Sequence, residues 1–513
     1  MTEKLFKSTA IVSMMTFVSR ILGFVRDIVI ARLFGAGLGA DVFFVAFKIP
    51  NFLRRLFAEG AFSQAFIPVL AEYRDRGDKD LKELIASTSG TLATILFIIT
   101  MIGVIAAPIL IVIFAPGFIG DDYKISLAGH LLKITFPYLF FISLTALAGA
   151  ILNSFGKFAV PAFTPVFLNL SLIASAIWLS PHLAEPVTAL AWGVFIGGVV
   201  QLLFQIPFLI RIGQLPKPRW GWKDSGVQQI LKLMLPAMFG VSVAQINLLL
   251  DTLLASFLVT GSISWLYYSD RLVEFPLGIF GIALATVILP SLSKKHASKS
   301  KDEFSHTIDW ALRWVFIIGT PAAIGLIWLA EPLLLSLFQY GEFSAQDAHK
   351  ASLSLMAYGL GLLPFIFIKV LAPGYYSRQD TKTPVKIGII AMVVNMVLNI
   401  ILMLQFAHVG LALATSLSAM LNALLLYIGL RKLGVYQPRA GWRRFIVQLL
   451  IPNITLMVVL FWLTPETIDW IDSGVWQRFM MLFGLIAAAI ATYFIMLSLV
   501  GIKVKSLLKI SAS

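Results

Sequence analysis

Cysteine is absent from this chain of 513 residues, so neither disulfides nor thiolate chemistry enter its account. Charge is scarce as well: Asp, Glu, Lys and Arg make up 13% of the residues against 59% hydrophobic ones, and mean hydropathy is +0.89. That balance excludes one or two soluble domains and describes a polytopic membrane protein. The histidines, His130, His182, His296, His306, His349 and His408, are scattered. No HExxH pair, metal-carboxylate cluster or large soluble catalytic domain accompanies them, which argues against an enzyme. A GxxxxGKS/T loop is also missing. The one Gly-Lys pair, Gly156–Lys157, has Ile151 where the first glycine of such a loop belongs, which argues against ATP as the direct energy source. "GAGLGA" at 35–40 fits a dinucleotide fingerprint only formally. It joins two apolar segments instead of leading from a strand into a helix, and so reads as a tight hairpin.

What the chain has in abundance is apolar length. Runs of roughly 20 residues, enough for the ~30 Å hydrocarbon layer, recur about fourteen times. The first is too long for a cleavable signal peptide and contains Arg20 and Arg26, so it is expected to stay as a helix. The formal charge of +14 is not gathered on one soluble face, as nucleic-acid binding requires. Most of the 40 Lys and Arg lie at the termini and in the even-numbered loops, for example "RIGQLPKPRWGWK" and "SKKHASKSK". The odd-numbered loops hold Lys124, Lys350 and Arg478. By the positive-inside rule both termini are cytoplasmic.

An internal repeat organises the helices. At one common offset Asp27 meets Asp251, Ala31 meets Ala255, Gly37 meets Gly261, Pro108 meets Pro332 and Gly117 meets Gly341. With small gaps Pro68 aligns with Pro290, Pro161 with Pro384 and Asn169 with Asn395. The expected fold is all-α: an N-lobe over residues 1–212 (helices 1–6), a C-lobe over 213–435 (helices 7–12), and helices 13–14 over 436–513 outside the repeat. An even number of helices per half gives both lobes the same orientation, related by a pseudo-two-fold axis along the membrane normal with a cleft between them.

Ten basic residues fall inside the apolar segments: Arg20, Arg26, Arg32, Lys48, Arg54, Arg55, Lys133, Arg271, Arg313 and Lys369. For Arg32, Lys48, Lys133 and Arg313, snorkelling to the headgroups is as good a reading as function. It fails for the clusters, because a central Arg or Asp costs about 2.5–3.5 kcal/mol on insertion. On the second helix Asp41, Lys48 and Arg55 step by seven and keep to one face at ~100° per residue, and Glu59 rejoins that line. Arg55 and Glu59 can pair, while Arg54 projects elsewhere. Pro50 and Gly60 predict bending or local unwinding nearby. The first helix aligns Arg20 and Asp27 with Arg26 beside them, and "SDRLVEFPLGIFG" places Asp270, Arg271 and Glu274 just ahead of Pro276. Salt bridges such as Arg26 with Asp27 or Asp41 account for part of the set. The bases nevertheless outnumber Asp27, Asp41, Glu59, Asp251, Asp270 and Glu274. A cationic surplus, rich in Arg forks that suit phosphate, points to transport of an anionic, phosphorylated substrate.

"SRILGFVRDIVIARLFGAGLGADVFFVAFKIPNFLRRLFAEGAFSQAFIPVLAEY", "YYSDRLVEFPLGIFGIALATVILPSLS", "LFQYGEFSAQD" and "LAPGYYSRQDTKTPVKI" resemble the MurJ family of lipid II flippases, within the superfamily of multidrug and lipid-linked oligosaccharide exporters. The resemblance runs from about residue 8 to the C-terminus. It implies a fourteen-helix bacterial inner-membrane protein. Such a protein moves undecaprenyl-diphosphate-linked peptidoglycan precursor from the cytoplasmic to the outer leaflet by alternating access, with lipid II and membrane lipids as partners. The family's essential cavity charges match Arg20, Arg26, Asp41, Arg54, Arg55, Arg271 and Glu274, with Asp27 and Asp270 beside them. Arg20, Arg26 and Arg271 are expected on the diphosphate with Arg54 attracting or supporting it. Asp41 and Glu274 are expected to hold the arginines or to make outer-side contacts, and Arg55 is expected to be held by Glu59. Helices 13 and 14 correspond to the family's lipid-tail groove.

Asp251, Asn395, Asn399 and Thr415 are oxygen donors of the kind a hard cation prefers, and they match a sodium site described in some members. Asn399 stands where a second carboxylate is usual, and ordinary helix-to-helix hydrogen bonding or drive by membrane potential reads as well. The competing readings are a flippase of another lipid-linked oligosaccharide and a membrane-embedded enzyme acting on the same lipid.

Overall fold

A computed structural model describes residues 2–298 and 300–502; within them the side chains of 2–10, 58–60, 239–244, 282–283 and 286 fall outside the description. The described residues are almost entirely helical and contain no strand. Nine of their helices are long and apolar enough to cross a membrane. The chain is a multi-pass membrane protein, and its contacts group into two compact units divided after Ser264.

The first unit begins with α1 (Thr2–Phe34), which ends at Gly35 in a left-handed conformation, φ 61°. A short turn over residues 35–37 is therefore present, and it feeds α2 (Leu38–Leu53). Pro50 lies inside α2 and has no N–H to offer the carbonyl of Ala46. The hydroxyl of Thr135 donates to that carbonyl instead, at 3.3 Å. One turn later the helix widens into a π-helical stretch, Arg54–Phe62, before α3 (Ser63–Arg76). Beyond these lie α4 (Asp78–Ile105), α5 (Ala107–Phe114), α6 (Asp122–Thr135), α7 (Tyr138–Ser154), α8 (Ala159–Phe163), α9 (Pro165–Ala174), α10 (Thr188–Arg211) and α11 (Ser225–Ala255). Phe62, Phe66 and Leu70 pack against Leu84, Ile151 and Ile230 of α4, α7 and α11 to form a core. Lipid tails are as apolar as leucine, so helices in a membrane associate by close packing. On α10 Gly193 and Gly197 show this. A Cβ at Gly193 would lie 3.1 Å from the Leu172 Cα, and one at Gly197 would lie 3.1 Å from the Leu168 Cα of α9.

The second unit takes over within α12 (Ser262–Pro276), which runs into another π-helical stretch, Leu277–Gly281. It continues through α13 (Ile282–Ala297), α14 (Lys301–Trp328), α15 (Ala330–Leu337), α16 (Ala345–Tyr376), α17 (Lys382–Lys432), α18 (Trp442–Leu463), α19 (Thr467–Asp472) and α20 (Val475–Leu499). Fifty-one residues are far too many for one crossing, and α17 reverses at Ala407, where φ is 50° and ψ is −130°. Proline creates a second orphan carbonyl here: Pro321 of α14 leaves Ile317 without its donor, and the Tyr493 hydroxyl of α20 takes it at 2.7 Å. The pair α18 and α20 is fastened to this unit at further points. Trp442 Nε1 and Tyr436 Oη donate to Asp309 Oδ1 of α14 at 2.7 and 2.9 Å. Near the other end of the pair, the buried Arg478 donates to the carbonyls of Leu335 and Gln339 at 3.1 and 3.2 Å.

Candidate functional site

In the first unit α1 carries an ion pair in an apolar setting. Arg26 donates through Nε and Nη2 to Asp27 Oδ1 at 2.9 and 2.6 Å, and through Nη1 to Asn169 Oδ1 at 3.0 Å. Arg26 is 7% exposed and Asp27 2%. Adjacent residues on a helix do not face one another. The long arginine side chain therefore has to fold back onto Asp27, and Asn169 of α9 fixes it there while donating to the Ser19 carbonyl at 3.0 Å. Of the two partners open to Arg26 on sequence grounds, the structure selects Asp27. Arg20, two turns earlier on α1, is exposed.

Asp41 serves elsewhere. Its carboxylate accepts from the Gly261 N–H at 2.6 Å, from the Ser264 N–H at 2.8 Å and from the Ser264 hydroxyl at 2.6 Å. Ser262 begins α12, so this buried carboxylate caps a helix start, where unpaired N–H groups and the helix dipole favour negative charge. Farther along, Arg54 Nε donates to Asn51 Oδ1 at 3.0 Å, and Arg55 is half-buried like Arg54. Both open the π-helical stretch, so the regular 100° projection that aligned Asp41, Lys48 and Arg55 holds only as far as Leu53. The side chain of Glu59 lies outside the described residues, and its pairing with Arg55 lies there with it.

In the second unit Arg271 Nη1 donates to Glu274 Oε2 at 2.7 Å and Nη2 to the Tyr267 hydroxyl at 3.3 Å, with the guanidinium 5.0 Å from the Tyr267 ring centre. Asp270 is exposed beside them. Each unit thus carries a charged helix with the same sequence of devices: ionic residues around a proline, followed by a π-helical stretch. Inserting one residue into a helical turn re-aims the side chains beyond it, a feature frequent at functional sites.

The oxygen-donor set divides between the units. Asp251 lies on α11 of the first, while Asn395, Asn399 and Thr415 lie on α17 of the second. Asn399 Nδ2 donates to Asn395 Oδ1 at 3.0 Å, Asn395 Nδ2 to the Ser418 hydroxyl at 3.3 Å, and Thr415 Oγ1 to the Leu411 carbonyl at 3.0 Å. Among the described residues no three His, Asp or Glu side chains are grouped as metal ligands.

Three residues escaped sequence reasoning. Asn169 was visible only as the repeat partner of Asn395, and both prove to be buried hydrogen-bonding amides. Asp309 was not counted among the interior acids, yet it is 3% exposed and pairs with Arg313 Nε at 2.9 Å. Arg313 is therefore held by a carboxylate and by the Trp442 and Phe445 rings, rather than reaching for a headgroup. Arg478, placed in an odd-numbered loop, is buried among backbone carbonyls.

Residues 30–482 match the family model described as lipid II flippase MurJ. A protein of Vibrio cholerae serotype O1 described as a probable lipid II flippase MurJ is 55% identical, over 99% of this chain and 98% of its own length. The lipid II flippase MurJ of Burkholderia cenocepacia is 43% identical over 97% and 98%. Among solved structures, a lipid II flippase MurJ in an inward closed conformation superposes with a TM-score of 0.81 at 27% identity, covering 95% of this chain and 98% of its own. An inward-facing multidrug resistance MATE family transporter shares the fold, with a TM-score of 0.67 at 14% identity over 81% and 95%. The chain belongs to the lipid II flippase MurJ family.

Proposed function

We propose that this protein is a transporter and not an enzyme, and that it moves lipid II, the undecaprenyl-diphosphate-linked peptidoglycan precursor, from the cytoplasmic to the outer leaflet of a bacterial inner membrane by alternating access. The observation that carries the reading is Arg26: a guanidinium 7% exposed on a membrane helix, folded onto Asp27 and steered by Asn169. A helix keeps such a group only where it faces protein or a polar cavity, and its planar fork matches phosphate oxygens. Arg20, Arg26 and Arg54 in the first unit and Arg271 in the second offer guanidinium groups to the diphosphate. Asp27, Arg55, Glu59, Asp270 and Glu274 support them, and Asp41 gates by holding the first turn of α12.

We read residues 1–212 and 213–435 as the two repeats and 436–513 as an appended pair of helices serving the lipid tail. The matching proline and π-helical segments of α2 and α12 support that division. Counting the charged helices with the apolar ones gives about fourteen crossings. The bias of basic residues toward alternate loops supports cytoplasmic termini. Sodium coupling is proposed on donor chemistry. Asn395, Asn399 and Thr415 supply neutral oxygens, which suit a hard cation, and Asp251 is the one carboxylate of the set. Asp251→Ala is then expected to abolish any sodium dependence of transport, and unchanged dependence would overturn the coupling.

The substrate role is tested in cells depleted of their own flippase. Alanine at Arg20, Arg26 or Arg271, with protein at normal abundance, is expected to abolish growth. Growth preserved in all three would show that the arginines do not bind the diphosphate.

A further inference from the structure

A cavity of about 360 Å³ opens in the first unit where the N-terminal half of α1, the α7–α8 turn and the end of α10 meet. Its lining includes Ile11, Lys157, Phe158, Phe208, Arg211 and Ile212, and none of the described lining residues is acidic. The volume lies in the range of small-molecule sites. Two exposed cations therefore border one cavity with no carboxylate among its described lining residues, beside aliphatic and aromatic side chains. The shape is set in advance. Gly156 turns at φ 74° to end α7, and the Lys157 N–H returns to the Leu152 carbonyl at 2.9 Å. Arg74 donates to the Ser154 carbonyl and lies 5.2 Å from the Phe155 ring centre, fixing the same turn from α3. The Arg211 guanidinium lies 5.5 Å from the Phe208 ring centre, which holds its stem against the apolar side chains.

We propose that this cavity binds the headgroup phosphate of an anionic phospholipid. Lys157 and Arg211 take the phosphate oxygens, and Ile11, Phe208 and Ile212 face the glycerol and first acyl carbons. Snorkelling alone would need neither a shared cavity nor an apolar lining. A soluble phosphate ester would leave those apolar side chains wet, so the bilayer is the source that fits both parts of the lining. The leaflet is the one facing the N-terminus and the basic loops, an assignment that rests on the orientation proposed above. The site uses none of the residues assigned to the transported diphosphate.

The test is native mass spectrometry of the full chain, purified in detergent and titrated with phosphatidylglycerol, phosphatidylcholine or inorganic phosphate. Lys157→Gln, Arg211→Gln and the double variant are measured beside the wild type. The wild type is expected to prefer phosphatidylglycerol, and the double variant to lose roughly tenfold or more of that preference with phosphatidylcholine binding unchanged. Lys157→Arg and Arg211→Lys are expected to retain it, which separates lost charge from lost fold. Equal phosphatidylglycerol binding in wild type and double variant would overturn the proposal. So would competition by millimolar inorganic phosphate, which would make the ligand a soluble anion. Lipid II binding in phosphatidylcholine nanodiscs is expected to survive the double substitution. Its loss there would place the cavity on the transport route and refute a separate lipid site, whereas loss only in Arg26→Ala leaves the proposal standing.

Discussion

Arg26 meets two partners of different worth. Asp27 is the counter-charge, and removing one member of a buried ion pair strands the other at a cost of about 3–5 kcal/mol. Asn169 steers the fork with a neutral amide that accepts from the charged guanidinium, a contribution of about 1.5–3 kcal/mol. Asp27→Ala is therefore expected to lower thermal stability in detergent well beyond Asn169→Ala, and a reversed order would show that the amide carries the pair. Both charges are legible in "RILGFVRD" because the residue types alone betray them. Asn169 is not, since it lies 143 residues from Arg26 and only the packing of α1 against α9 unites them. Asp309 was only half hidden. Its pair with Arg313 is an i, i+4 spacing on α14, whereas its other donors, Tyr436 and Arg439 ahead of α18 and Trp442 at the first residue of α18, lie 127, 130 and 133 residues away and no local spacing announces them.

Prolines shape the helices, and the orphan carbonyls they leave shape the contacts between helices. Thr135 serves the carbonyl freed by Pro50, and Tyr493 serves the one freed by Pro321. The disturbance near Pro50 could be read from sequence, whereas the hydroxyl that would answer it could not, because the donor belongs to a different helix each time. Tyr493→Phe keeps the ring and removes only the donor. It is expected to cost about 0.5–2 kcal/mol, read as a lowered unfolding temperature. No change would mean that the Ile317 carbonyl is satisfied otherwise. The turn in α17 offers the opposite experiment. Ala407 holds a backbone conformation that favours glycine, at a cost of about 1–3 kcal/mol. Ala407→Gly is expected to raise the unfolding temperature, and a fall would show that the alanine methyl contributes more by packing than the strain removes.

Across the whole molecule, composition settled the class, because apolar length survives where individual contacts do not. The π-helical stretches did not announce themselves: 100° per residue is the default projection, and one inserted residue changes which way Arg55 points. What unites the scales is a membrane fold that holds Arg26, Arg54, Arg271 and Arg313 by giving each a carboxylate, an amide or an aromatic ring. That arrangement makes sense if a doubly charged lipid must pass. The most direct measurement is the accessibility of lipid II on the outer leaflet in cells whose only flippase is this chain. Exposure is expected with the wild type and its loss with Arg26→Ala at equal abundance; equal exposure with and without the chain would contradict the account.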